Sequence, residues 1–281
     1  GIISSLDDMS LETWVTWTGN RVWERIFDFG SSNAGEDVPG AGQKYLFLTP
    51  RSDTGRVRFA IRTAANDNPL VEGATVMQNG VERHIVITYS SRGGSVKLYV
   101  DGKEVASAVA TIPLSEITDI NNWLGRSQWS GDAYFSGSMR EFRIYQGILS
   151  PMEVVVSQAA GPDNQVPETG ALQGLTVQPI TPMEPGTVQT PVVLAEFANV
   201  SGVNVTSWAT FEIVNPDIAS VNAQGVITAV SLGTTKIIAT YGGLKATQSV
   251  EVVHAPAVLA HRYSFEADAT DTISFADGSL V

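Results

Sequence analysis

The chain has 281 residues, 43% of them hydrophobic, which is enough for one large or two moderate cores, and it has no cysteine to build a disulfide framework or a thiolate metal site. Its formal charge of −12, from 29 acidic and 17 basic residues, argues against nucleic acid as a partner, because phosphate backbones are neutralised by Lys and Arg. No run approaches the roughly 20 apolar residues of a membrane helix, and the opening Gly1-Ile2-Ile3 lacks both Met and a signal-peptide pattern, so the chain is expected to be a piece of a longer protein.

From residue 11 to residue 150 the sequence runs in short alternating stretches separated by Gly, Asn, Asp and Ser, the pattern of half-buried antiparallel strands. Residues 11–17, 56–62 and 84–89 alternate cleanly, and in each one face is expected in a core and the other in solvent. Asp101-Gly102, between the β runs 95–100 and 103–107, is a two-residue hairpin signal, since both residues tolerate positive φ. Ser150-Pro151-Met152-Glu153 combines an N-cap, a first-turn proline and a capping-box glutamate, predicting one short helix that ends by Gly161. Residues 161–171 have no apolar periodicity and read as a linker.

Composition changes across that linker. Acidic and basic residues number 18 and 14 in residues 1–160 but 7 and 2 in residues 161–255, a stretch without arginine. Seven short β runs follow, at 175–177, 192–194, 206–208, 219–221, 226–229, 236–240 and 249–253, which suits a small sandwich over 172–255. Ala260-His261-Arg262-Tyr263-Ser264-Phe265 reads as one more strand.

Four stretches carry a resemblance. Trp14-Val15-Thr16-Trp17 with Arg25-Ile26-Phe27-Asp28-Phe29-Gly30, Tyr99-Val100-Asp101-Gly102, Trp123-Leu124-Gly125-Arg126-Ser127-Gln128, and Phe135 through Tyr145 resemble, in order, motifs of concanavalin A-like, laminin G-like domains. The implied fold is all-β: a two-sheet jelly roll over 1–160, entered after its first strands. Ile218 through Ala229 and Leu232 through Ile237 resemble a group-2 bacterial Ig-like domain, and residues 256–281 resemble the opening strands of a second laminin G-like domain. The resemblance implies that the strand around 142–145 lacks a neighbour. Residues 259–265 are expected to fill that edge by strand exchange, within the chain or between chains.

The sharpest candidate site is the cluster Trp123, Arg126, Gln128, Trp129, Asp132 and Tyr134, where aromatic rings could stack on sugar rings while the polar groups bond hydroxyls; packing within the sandwich is the plainer alternative. Trp14, Trp17 and Trp23 are expected in the core. Many laminin G-like domains hold calcium, and Glu141, Asp271 and Asp277 are the candidates here, although Arg140 stands where the family often has Asp. Asp7-Asp8 and Glu36-Asp37 read as solvated charge, and His84 as structural.

The Glu-x-Asp-x-x-Glu strand signature of jelly-roll glucanases is absent, and three histidines offer little for a Ser–His–Asp triad. The expected function is therefore a non-catalytic extracellular binding or adhesion module of a large modular bacterial protein, with a glycan or an extracellular protein as ligand. Two alternatives stay open: an accessory region of a secreted polysaccharide-degrading enzyme, and a structural spacer array without a specific ligand.

Overall fold

A computed structural model describes residues 1–63, 67–165, 168–254, 259–262 and 273. The chain divides into two compact units, Gly1–Gln173 with Glu196–Val203, and Gly174–Ala195 with Asn204–Val281.

The first unit carries ten strands: β1 (Asp8–Trp17), β2 (Phe27–Ser32), β3 (Gly42–Thr49), β4 (Arg58–Arg62), β5 (Asp67–Glu72), β6 (Glu82–Ser90), β7 (Ser95–Val100), β8 (Lys103–Ala108), β9 (Asn121–Leu124) and β10 (Gly137–Gln146), followed by helix α1 (Pro151–Ala160). They form two five-stranded sheets, ordered β10-β1-β6-β7-β8 and β5-β4-β3-β2-β9. The alternation seen in the sequence sends one set of side chains into the shared core, but the opposite faces of residues 11–17 and 84–89, expected in solvent, are buried as well: Glu12, Trp14, His84 and Val86 are all out of water, and Val86 packs against the helix. Met9, Leu11, Val15, Ile85 and Ile87 of the first sheet share one buried cluster with Phe27, Phe29, Leu46, Leu48, Phe59 and Ile61 of the second. Each such side chain contributes about 1.5–3 kcal/mol by leaving water.

The register of β1 against β10 shifts between Trp14 and Val15, which pair with Glu141 and Met139 and leave Arg140 as the extra residue. This bulge turns Met139 and Phe142, three positions apart, onto the same inward face. Phe142 meets Phe27 and Phe29 edge-on at 5.5 and 5.7 Å.

The local expectations hold at the hairpin and the helix. Asp101 and Gly102 have φ of 50° and 76°, the two positive values that a tight turn between β7 and β8 requires. The Ser150 hydroxyl accepts from the Glu153 amide at 3.3 Å, and the Glu153 carboxylate accepts from the Ser150 amide at 2.7 Å, closing a capping box. The helix lies on the outer face of the first sheet, where Val154 packs with Val86, Tyr99 and Leu149.

Residues 172–252 form nine short strands: β11 (Leu172–Val177), β12 (Val188–Gln189), β13 (Val193–Phe197), β14 (Val203–Asn204), β15 (Thr210–Ile213), β16 (Ala219–Val221), β17 (Ile227–Ala229), β18 (Gly233–Tyr241) and β19 (Leu244–Val252). They are arranged as three small sheets, β11-β13-β14, β12-β17-β16 and β15-β18-β19. One expected strand is not one: Thr206–Trp208 is a 3-10 turn. The Asn204 side chain accepts from the amide and the hydroxyl of Thr206 at 3.1 and 2.7 Å, which bends the backbone out of an extended path.

At the far end, residues 259–262 are exposed and carry no strand assignment. Residues 263–265, on which the expected strand exchange also depends, lie outside the described residues, as do Asp271 and Asp277. Strand β10 is an edge of its sheet, paired with β1.

Candidate functional site

The outer face of the second sheet is built from the residues that alternate with its core. On β3, Tyr45 and Phe47 stand opposite Leu46 and Leu48; on β4, Arg58, Ala60 and Arg62 alternate with Phe59 and Ile61. The register aligns Ala60, Phe47, Asp28 and Trp123 in one row across four strands, with Arg62 beside Tyr45 in the next. Two loops close over this face, one bearing Trp23 and one bearing Trp129, and they enclose a hollow of about 280 Å³.

Its walls are aromatic and its polar groups are held in place. The Trp129 indole N–H donates to the Tyr45 hydroxyl at 2.8 Å. Gly42 makes room for that pair, since a Cβ there would lie 2.7 Å from both the indole nitrogen and the tyrosine ring. The Arg25 guanidinium lies 4.1 Å from the Phe47 ring centre and 5.4 Å from that of Trp23; Arg58 lies 5.1 Å from Trp23, and Arg62 lies 5.5 Å from Trp129. Such stacks contribute about 0.5–2 kcal/mol each.

Carboxylates fix the arginines from behind. Arg25 donates to Asp28 at 3.3 Å, to Asp132 at 3.0 Å and to the Trp23 carbonyl at 2.9 Å. Arg58 donates to Glu72 at 2.5 Å and to Asp53 at 2.8 Å. Asp28 is fully buried under the row, and burial pushes its carboxyl up to about 7 despite the opposing charge of Arg25. Glu72 is shifted the other way: burial raises it, but hydrogen bonds from Arg58, Thr54 and Ser52 outweigh that and hold it below the usual range.

The six residues singled out in the sequence are divided by this geometry. Trp129 and Asp132 line the hollow. Trp123 sits on the outer face at the β9 edge with the Arg126 guanidinium 4.0 Å over its ring, and Arg126 is tied to Asp37 at 3.2 Å. Gln128 is completely buried, and its amide donates to the Asn121 carbonyl at 2.9 Å, so it supports the loop and does not face a ligand. Tyr134 is 71% exposed and is not part of the lining.

Trp14 and Trp17 are buried as expected, but Trp23, at a φ of 66°, is a wall of the hollow. Of the calcium candidates, Glu141 lies 3.3 Å from Arg143. No group of three or more His, Cys, Asp or Glu suited to a metal occurs among the described residues.

Acid–base side chains gather elsewhere, on the face of the first sheet that carries α1. Glu12 is fully buried and accepts from the Tyr145 hydroxyl at 2.6 Å and from Arg143 at 3.2 Å, with His84 Nε2 at 2.8 Å. Burial alone would raise its pKa; hydrogen bonds from His84 and Tyr145 overcome this and hold it below the usual glutamate range. Arg143 also donates to the carbonyls of Pro162 and Asn164 at 2.6 and 2.8 Å, drawing in the chain after the helix. With His84 3% exposed and packed on Trp14 at 4.4 Å, this is a structural network with no access for substrate.

Comparison with known proteins agrees with the sandwich. The profile of the concanavalin A-like lectin/glucanases superfamily matches residues 3–155, and that of a bacterial Ig-like domain matches residues 207–254. Solved structures that it resembles include domain 4 of AbnA, an extracellular GH43 arabinanase from Geobacillus stearothermophilus (21% identity, TM-score 0.43, covering 53% of this chain and 65% of that one). Others are the CBM40 of the Ruminococcus gnavus IT-sialidase (20%, 0.46, 54% and 83%) and a mutant NanB sialidase from Streptococcus pneumoniae (15%, 0.45, 83% and 42%). No curated protein matches. Two five-stranded sheets with one shared core, and a profile match over more than half its length, establish that the chain belongs to the concanavalin A-like lectin/glucanase superfamily.

Proposed function

We propose that the first unit is a non-catalytic glycan-binding module of an extracellular protein, with the hollow between Trp23 and Trp129 as its binding site. The observation that carries this reading is the combination in one hollow of aromatic walls with guanidinium and carboxylate groups whose positions are already fixed. A pyranose presents an apolar face and a rim of hydroxyls, and it needs this mixture of stacking surface and rigid polar partners. Pre-set side chains also lower the ordering cost of binding.

Among the described residues, the lining includes a single carboxylate, Asp132, itself paired with Arg25. Glycoside hydrolysis generally needs two carboxyl groups flanking the bond, so this arrangement is suited to holding a sugar and not to cleaving it.

The test is a glycan-array screen of the full chain followed by calorimetric titration of the hits. Trp129→Ala is expected to weaken binding at least tenfold while the thermal melt still shows folded protein. Folded wild-type protein that binds no glycan, or a Trp129→Ala variant that binds as tightly as wild type, overturns the reading.

A further inference from the structure

One wall of the hollow stands in a strained backbone conformation. Trp23 has a φ of 66°, in the left-handed region that bulky side chains avoid, and among the described non-glycine residues only Asp37 and Asp101 share that sign. Such a conformation persists where its surroundings over-determine it, and it is concentrated at ligand clamps and other functional sites. The residue after Trp23 supplies that constraint.

Glu24 is turned away from the hollow that its two neighbours line. Trp23 and Arg25 form part of the lining, whereas Glu24 does not and is 2% exposed. Its Oε2 accepts from the Trp17 indole N–H at 3.1 Å and from the Ser136 amide at 2.8 Å, and its Oε1 accepts from the Arg21 amide at 3.0 Å. The donors belong to β1, to the chain entering β10 and to the Trp23 loop itself, so one side chain ties that loop to the first sheet. Gly19 leaves the space for it, since a Cβ there would overlap both carboxylate oxygens. Other ties reach the wall, from the Trp23 amide to the Arg51 carbonyl at 2.9 Å and from the Trp23 ring to Phe47 at 6.3 Å, and the experiment sets Glu24 against them.

Resting on the reading of the hollow as a glycan site, we infer that Glu24 is the positioning residue of the Trp23 wall. Buried and outside the lining, it acts on affinity through the backbone path that aims the Trp23 ring.

The experiment uses the full chain labelled with 5-fluorotryptophan, which gives one fluorine resonance for each of the six tryptophans, that of Trp23 being assigned by its loss in Trp23→Phe. Two variants perturb the anchor: Glu24→Gln replaces one carboxylate oxygen, and Gly19→Ala pushes on the carboxylate without removing it. In each, the Trp23 resonance is expected to shift or broaden along with that of Trp17, which touches Glu24, while those of Trp14, Trp123, Trp129 and Trp208 stay in place. A Trp23 resonance that stays in place in either folded variant overturns the inference.

Affinity is then read as a double-mutant cycle, the probe being the strongest binder of the glycan array as the free oligosaccharide. Glu24→Gln is expected to weaken binding about tenfold beside Trp23 but less than about twofold in a Trp23→Ala background, because its effect passes through that ring. Equal losses in the two backgrounds mark a merely structural role and overturn the inference, as does a Trp23→Ala protein that binds as tightly as wild type. Both outcomes leave the glycan site standing while Trp129→Ala still weakens binding. Folded wild-type protein that binds no glycan removes the glycan reading and the role of Glu24 together.

Discussion

Replacing Glu12 by Gln tests whether the buried network under α1 is a source of stability or only a tolerated cost. The substitution is nearly isosteric, but it removes the charge on which His84, Tyr145 and Arg143 converge. Removing one partner from a buried pair costs about 3–5 kcal/mol, because the other charge stays buried without compensation. For a cooperative unit of this size each kcal/mol moves Tm by about 2–4 °C, so the expected drop is about 6–20 °C. Tryptophan fluorescence is the suitable probe, since Trp14, Trp17, Trp23, Trp123 and Trp129 all lie in the first unit.

A pH series adds a second reading of the same variant. Glu12 is held below the ordinary glutamate range, so its contribution is complete above about pH 4.3 and is lost as pH falls through the lower folded-state value. In Glu12→Gln that part of the acid limb disappears. A Tm within about 3 °C of wild type, or an unchanged acid limb, would mean that the desolvation cost of the network cancels its attraction, and the reasoning fails.

Asp28 works in the opposite sense. Its carboxyl is raised to about 7, so the stability it contributes is full below about pH 4 and is lost as pH rises through about 7; Asp28→Asn is expected to flatten urea midpoints between those values, and a retained slope would count against burial as its cause. Ser150→Ala breaks the capping box and should cost about 1 kcal/mol, measured by urea unfolding, with an unchanged midpoint showing that α1 is held by packing alone. Gly102→Ala forces a Cβ onto a residue with φ of 76°, 3.2 Å from Val155, and should cost about 1 kcal/mol or more, seen as faster amide exchange in the β7–β8 hairpin.

Much of the sandwich is legible in the sequence because short alternating runs mark β1, β4 and β6 as strands, but the solvent face expected of β1 and β6 is not there, since both of their faces are buried. The hairpin and the helix start are legible because Asp-Gly and Ser-Pro-x-Glu act within a few residues. The binding face is only half legible. Trp129 and Asp132 lie in a local cluster, whereas Trp23, Arg25, Tyr45, Arg58 and Arg62 come from separate strands and loops and meet only through the order β4-β3-β2-β9.

A signal was nevertheless present in β3. Tyr45-Leu46-Phe47-Leu48 is apolar on both faces, which a strand with one solvent face does not need. The arginines of β4, which alternate with Phe59 and Ile61, look like ordinary solvent-facing charge until the Trp23 and Trp129 loops are seen to cover them. Gln128 misleads for the reverse reason, being a polar residue in a loop whose hydrogen bonds all turn inward.

Gly42 brings no chemistry of its own to a sugar, yet the aromatic wall depends on it. A single methyl group at that position would push the Trp129 indole away from the Tyr45 hydroxyl. Anyone retuning the site by randomising its rings and arginines would be working on the visible half of the design. The other half is a vacancy, and a library that leaves position 42 free to vary will discard much of its diversity on variants whose wall has moved before any ligand arrives.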